Sequence, residues 1–169
     1  MGKQYKKKKL KEGFTTGTCA AAAAKGALML LLTKSVPSRI EIELLTGKRI
    51  FIPIHTAMFE NSATAVCSVI KDAGDDPDIT HGAEIGARIT RFNDHTTNKI
   101  IITGGEGVGT VTKPGLEIQP GEAAITSGPR KMIIQAVSEI LRKHNANTSL
   151  RIEIFVPKGE VLAQKTLNA

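Results

Sequence analysis

The stretch EGFTTGTCAAAAAKGALMLLL, residues 12–32, sets the organisation of the chain. Gly13 and Gly17 permit tight backbone geometry ahead of an apolar run. Thr15, Thr16 and Thr18 are candidate N-caps, because a hydroxyl there accepts from an orphan amide of a first helical turn. Five alanines follow Cys19, and Leu28 to Leu32 continue the run. Such a helix is apolar on nearly every face and is expected to be buried. Having no long side chains over its first turns, it lets other backbone approach closely. Its N-terminus presents unpaired amides and a partial positive charge, favourable to an anionic group. A plain core helix with a threonine cap is the other reading the residues leave open.

Working outward, Arg39 to Leu44 and Arg49 to Ile54 alternate cleanly about Thr46–Lys48, which predicts a β-hairpin with Ile40, Ile42, Ile50, Ile52 and Ile54 inward. Residues 63–71 form a short β-branched run that ends in the acidic loop Lys71 to Asp78. Glu84–Phe92 and Lys99–Thr103 read as strands. The glycine-rich GGEGVGTV, 104–111, reads as a connection between strands. Pro129 opens a helix to about Asn145, with Met132, Ile133, Ala136, Val137, Ile140 and Leu141 at helical spacing. Leu150–Val156 is a last strand, and a short helix follows from Gly159. Strands joined by short turns imply antiparallel pairing. The expected fold is therefore α+β, a mostly antiparallel sheet with two main helices on one face, forming a single domain over 12–169.

The net charge of +7 over 169 residues is mostly local. Residues 1–11 hold six lysines and no acid, and without them the balance is +1. This segment reads as a basic, disordered tail. With no tryptophan and one tyrosine, a nucleic-acid surface built on base stacking is not expected. The apolar run from Ala20 spans about 13 residues and contains Lys25, short of the roughly 20 that a bilayer requires, so no membrane span is expected. Cys19 and Cys67 form no CxxC pair and read as reduced thiols of a cytoplasmic protein.

No metal motif is present: His55, His81, His95 and His144 lack zinc spacing, and the loop Asp72, Asp75, Asp76, Asp78 lacks the glycine of a calcium loop. Gly105, Gly107 and Gly109 are spaced by two and do not make the G-x-G-x-x-G of a dinucleotide loop. They either let backbone approach a ligand or simply turn the chain. Arg130 and Lys131, near the start of the second helix, are placed either to meet carboxylates or to be solvated.

Taken as strings, EGFTTGTCAAAAAKGA (12–27), VIKDAGDDPDITHGAEI (69–85), GGEGVGTVTKPGL (104–116) and VPKGEVLAQKTLN (156–168) together resemble the cobalt-precorrin-5B C1-methyltransferase family, CbiD, in that family's order. The resemblance implies methyl transfer from S-adenosylmethionine to C1 of a cobalt-bearing tetrapyrrole, giving cobalt-precorrin-6A in anaerobic cobalamin biosynthesis. The cobalt arrives as part of the substrate. Family members continue past the last string with a glycine-rich, Rossmann-like half, so the chain corresponds to an N-terminal half, and the resemblance leaves the donor site open between the glycine segment here and the other half. Against a carboxylate-fringed macrocycle, Thr15, Thr16, Gly17, Thr18, Gly105, Gly107, Gly109, Lys113 and Arg130 are candidate binding residues. Asp75, Asp76, Asp78, His81 and Glu106 are candidate bases for a proton lost from the ring. A non-catalytic tetrapyrrole- or anion-binding module is the alternative. A homodimer through the face where the other half docks is a further expectation.

Overall fold

The computed structural model describes residues 10–94, 98–115 and 117–167; the basic-tail expectation for residues 1–9 and the turn at His95 lie outside them. The elements are α1 (Thr16–Thr33), β1 (Arg39–Glu43), β2 (Arg49–Pro53), β3 (Thr56–Asn61), β4 (Thr64–Ile70), β5 (Glu84–Phe92), β6 (Ile100–Gly104), α2 (Ser127–Lys143), β7 (Ser149–Phe155) and α3 (Gly159–Leu167).

Helix α1 begins where Thr15, in extended conformation, accepts from the Thr18 amide at 3.1 Å. It ends at Lys34, left-handed with φ 63°, whose amide returns to the Leu30 carbonyl. Every residue from Gly17 to Leu28 is buried, Lys25 included. The helix has 18 residues, longer than the apolar run read from the sequence, and is long and apolar enough by composition to cross a membrane. However, 72% of it lies inside the fold, which makes it the core helix.

Strands β3-β4-β5-β7-β6 form one sheet in that order, and β1-β2 form a separate hairpin. All neighbours pair antiparallel except β6 and β7, which run parallel. Ala65, Cys67 and Val69 of β4, Ile85, Ala87 and Ile89 of β5, and Leu150, Ile152 and Ile154 of β7 point to the buried face. Helix α1 rests there with Gly26 so close that a Cβ would stand 2.7 Å from Cys67 Sγ. On the outer face Arg88 bridges Glu60 and Glu153.

Helices α1 and α2 lie side by side. A Cβ on Gly17, in the first turn of α1, would meet Pro129 Cγ of the first turn of α2 at 2.7 Å. Farther along both helices, Lys25 Nζ donates to Glu139 at 2.9 Å and to the Glu41 carbonyl of β1 at 2.8 Å. Contacts at matching distances from both N-termini show that the helices run in the same direction.

Three features depart from the sequence reading. Strand β3 was not expected; it is an edge strand with Met58 57% and Phe59 42% exposed, so it carries no alternation to detect. The glycine-rich segment does not join two strands. Thr110 makes only an isolated bridge to Ala123, and the chain passes from β6 through α2 to β7, a β-α-β crossover. The short-turn rule fails there because a helix intervenes, and the crossover makes the sheet mixed. Lys11, assigned to the tail, joins the body, its side chain on Asp72 and its amide on the Asp75 carboxylate.

A methyl group at position 17 would push the two helices apart against a proline ring. Gly17→Ala is expected to lower stability by about 1–3 kcal/mol, the usual range for overpacking, measured by urea unfolding.

Candidate functional site

Because β4 is antiparallel to β5, and β5 to β7, strands β4, β7 and β6 all point the same way. Their C-terminal ends gather at the end of the molecule where α1 and α2 begin. The acidic loop leaves β4 there, the glycine segment leaves β6, and Val156 leaves β7. The stretches that carry the four strings therefore meet in space.

The entry to α1 lies against the acidic loop. Glu12 bridges Gly74, and the Phe14 amide donates to the Asp72 carbonyl at 2.7 Å. The two backbones are so close that a Cβ on Gly13 would fall 2.0 Å from the Ala73 carbonyl carbon. Between them opens a cavity of about 820 Å³, lined by residues 10–16, Lys71, Ala73 and 75–78. On the other side of Thr16 a smaller slot of about 260 Å³ is walled mainly by apolar groups, among them Ala20, Val108, Ile125, Pro129, Ile154 and Val156.

The binding candidates fall into two groups. At the start of α1, Thr15 is the cap, its hydroxyl 2.7 Å from that of Thr18. Thr16 Oγ1 accepts from Lys71 Nζ at 3.2 Å, and Gly17 touches α2. The Thr16 and Gly17 amides have no acceptor among the described residues. The glycine segment behaves differently. The space beside Gly105 is filled by the Glu153 side chain, and that beside Gly107, φ +70°, by the backbone of Val156 and Gly159. Gly107 and Gly109 border the slot. Lys113 is exposed and lines neither cavity. Arg130 braces its own loop, donating to the carbonyls of Ile125 at 2.7 Å and Ala123 at 3.4 Å, beside a separate hollow along β6. The first amide of α2, that of Ser127, is already taken by the Glu117 carboxylate at 3.0 Å.

The candidate bases are also sorted by their partners. Asp75 holds the Lys11 amide at 2.7 Å. His81 Nδ1 accepts from the Ala73 amide at 3.0 Å. Glu106 accepts from the Lys158 amide at 3.2 Å, outside the larger cavity. Asp78 lies against Lys71 Nζ at 2.5 Å, and this hydrogen bond, helped by the Thr80 hydroxyl and amide, pulls its carboxyl down to about 2. A carboxylate that weakly basic holds no proton near neutrality. Asp76 lines the larger cavity, and its carboxylate has no partner among the described residues.

Lys71 was missed in the sequence, where it ends a β-branched run and reads as the first residue of a loop. Its signal was a single cation directly after an apolar strand and before four aspartates. Cys19, at a helix start, is no activated thiol: burial pushes it up to about 12, against a smaller opposing pull from Lys71. Among the described residues, no group of three or more His, Cys, Asp or Glu could hold a metal ion.

The sequence model of the CbiD family matches residues 3–169. The cobalt-precorrin-5B C(1)-methyltransferase of Geobacillus kaustophilus is 46% identical over 162 residues, 96% of this chain and 42% of its own. That of Priestia megaterium is 47% identical, over 96% of this chain and 43% of its own. The crystal structure of the cobalamin biosynthesis protein CbiD from Archaeoglobus fulgidus superposes with a TM-score of 0.68 at 26% identity, over 93% of this chain and 47% of that one. The chain thus spans less than half the length of the relatives it matches.

The depressed Asp78 carboxyl has a stability consequence with a definite sign. The unfolded carboxyl titrates near 3.9, so the contribution is complete above about pH 4 and is lost as pH falls toward about 2. Asp78→Asn is expected to be less stable near pH 6 and to show a shallower loss between about pH 4 and 2, read from thermal unfolding across that range.

Proposed function

Because the chain belongs to the CbiD family, we propose that it forms the substrate-binding half of a cobalt-precorrin-5B C1-methyltransferase, which transfers a methyl group from S-adenosylmethionine to give cobalt-precorrin-6A. The observation that carries this reading is the meeting of the acidic loop, the glycine segment and the open N-terminus of α1 at one end of the fold. A macrocycle fringed with carboxylates needs amide and hydroxyl donors at fixed positions. The Thr16 amide, at the edge of both hollows, and the Gly17 amide, at the slot, supply the amide donors, reinforced by the helix dipole.

The methyl donor is assigned to the part of the relatives that lies beyond the matched span. The glycine segment and the slot beside it do not fit it. The space beside Gly105 and Gly107 is filled by protein atoms. The slot, at about 260 Å³, is smaller than the roughly 300–1,000 Å³ of ligand pockets and lacks a carboxylate for a ribose. Bound donor supplies the electrophilic methyl group. This half contributes orientation of the ring, which lowers the entropic part of the barrier. It also contributes a proton acceptor, Asp76, the cavity carboxylate left without a partner among the described residues.

Calorimetric titration with cobyrinic acid, a cobalt corrin polycarboxylate, and with S-adenosylhomocysteine tests the assignment. The corrin is expected to bind and the nucleoside not to; the reverse pattern overturns it. Asp76→Asn is expected to tighten corrin binding, because removing a like charge at about 4 Å in water is worth on the order of 1 kcal/mol, or roughly fivefold.

A further inference from the structure

Lys25 and Lys71 are both buried, at 5% and 3% exposure, and their partners give them different work. Lys25 ties α1 to the β1 backbone and to the exposed Glu139 of α2. Lys71 stands where β4 ends and the acidic loop begins. Its three ammonium donors are all engaged: Thr16 Oγ1 at 3.2 Å in the first turn of α1, and Asp78 Oδ2 and Thr80 Oγ1, both at 2.5 Å, in the loop. The loop is also closed at its base by Lys71 N to Ala83 O and Gly82 N to Lys71 O, at 2.9 and 2.8 Å. One buried cation therefore grips both walls of the 820 Å³ cavity. It has no donor left for a ligand, so any part it plays in binding is through those walls.

We propose that Lys71 is a positioning residue of the substrate site: by joining Thr16 to Asp78 and Thr80, it sets the spacing between the Thr16 start of α1 and the far end of the acidic loop that carries Asp76 across the cavity. This rests on the reading of that end of the fold as the corrin-carboxylate site. A methionine at 71 fills similar volume but releases Asp78 and Thr80 from Thr16. The Glu12–Gly74 bridge and the Phe14–Asp72 bond still hold the near end of the loop, while its Asp78–Thr80 end loses its tie to α1. A purely structural ammonium predicts something else, a loss of stability with binding intact in whatever chain remains folded.

The test compares Lys71→Met, Thr16→Val and Lys25→Met with the unaltered chain, by calorimetry with cobyrinic acid, urea unfolding and NMR. Lys71→Met is expected to weaken corrin affinity by about tenfold or more, since small misplacements of binding groups are costly. The Thr16 and Asp76 amide resonances should move with it, and the Asp78 carboxyl should return toward the ordinary range. Lys25→Met, the buried-lysine control, is expected to change stability and leave affinity within about twofold, being outside the cavity. Thr16→Val cuts the link to α1 while keeping the Lys71–Asp78 ion pair, and decides the matter if Lys71→Met does not fold. Its affinity should fall as well. Unchanged affinity in a folded Lys71→Met, or in Thr16→Val, overturns the positioning role alone. Absence of corrin binding by the unaltered chain overturns the reading of the site, and the positioning role with it.

Discussion

Close approach along α1 is the constraint on which the rest of the structure depends. From Cys19 to Ala24 no side chain is larger than a thiol, and Gly17 and Gly26 remove even the Cβ where α2 and β4 press hardest. A helix this slender can be surrounded: the sheet covers one side, α2 another, and the β1-β2 hairpin touches a third. Dispersion and apolar burial then act over its whole circumference rather than along one stripe. The one cation in its buried length, Lys25, is tolerated because Glu139 and a β1 carbonyl meet it.

The same packing aligns the chemistry. With α1 and α2 side by side in the same direction, and β4, β6 and β7 pointing at their N-termini, three loops and two helix starts share one end of the molecule. In open α/β sheets, ligands are received outside the carboxyl ends of the parallel strands, and the β6-β7 pair with its α2 crossover reproduces that arrangement locally. The end is not uniformly positive, however. Glu117 already sits on the first amide of α2. The acidic loop brings four carboxylates close to α1, and Lys71 and Lys11 offset part of that charge. What stays open is narrow: two amides of α1 and the carboxylate of Asp76.

Neighbouring carboxylates of one loop consequently have different characters. Asp78 is held by a buried ammonium and stays ionised far into acid. Asp72 is pulled below the usual range by the exposed Lys11 ammonium and by the Gly74 amide. Asp75 serves the backbone of Lys11. Asp72 and Asp75 owe their roles to Lys11, brought from before α1, and Asp78 owes its own to Lys71 and Thr80 at the two ends of the loop; in the sequence the aspartates look alike.

The sequence by itself determined most of the elements and the family. The buried α1 and its threonine cap, the β1-β2 hairpin with its inward isoleucines, strands β4, β5 and β7, and the apolar stripe of α2 all follow from local periodicity and capping. Periodicity records which face of an element meets the core, and those faces did. The tertiary structure alone decided what meets at a distance: the parallel β6-β7 pair made by the α2 crossover, the edge strand β3, the burial of Lys71, and the use of Gly107 against Gly159 rather than solely as an open loop. Each depends on long-range pairing, which leaves no repeat in the local sequence. Lys71 shows this most clearly. A lysine ahead of an aspartate-rich loop reads as a solvated surface charge until the fold brings Thr16, fifty-five positions away, within hydrogen-bonding distance.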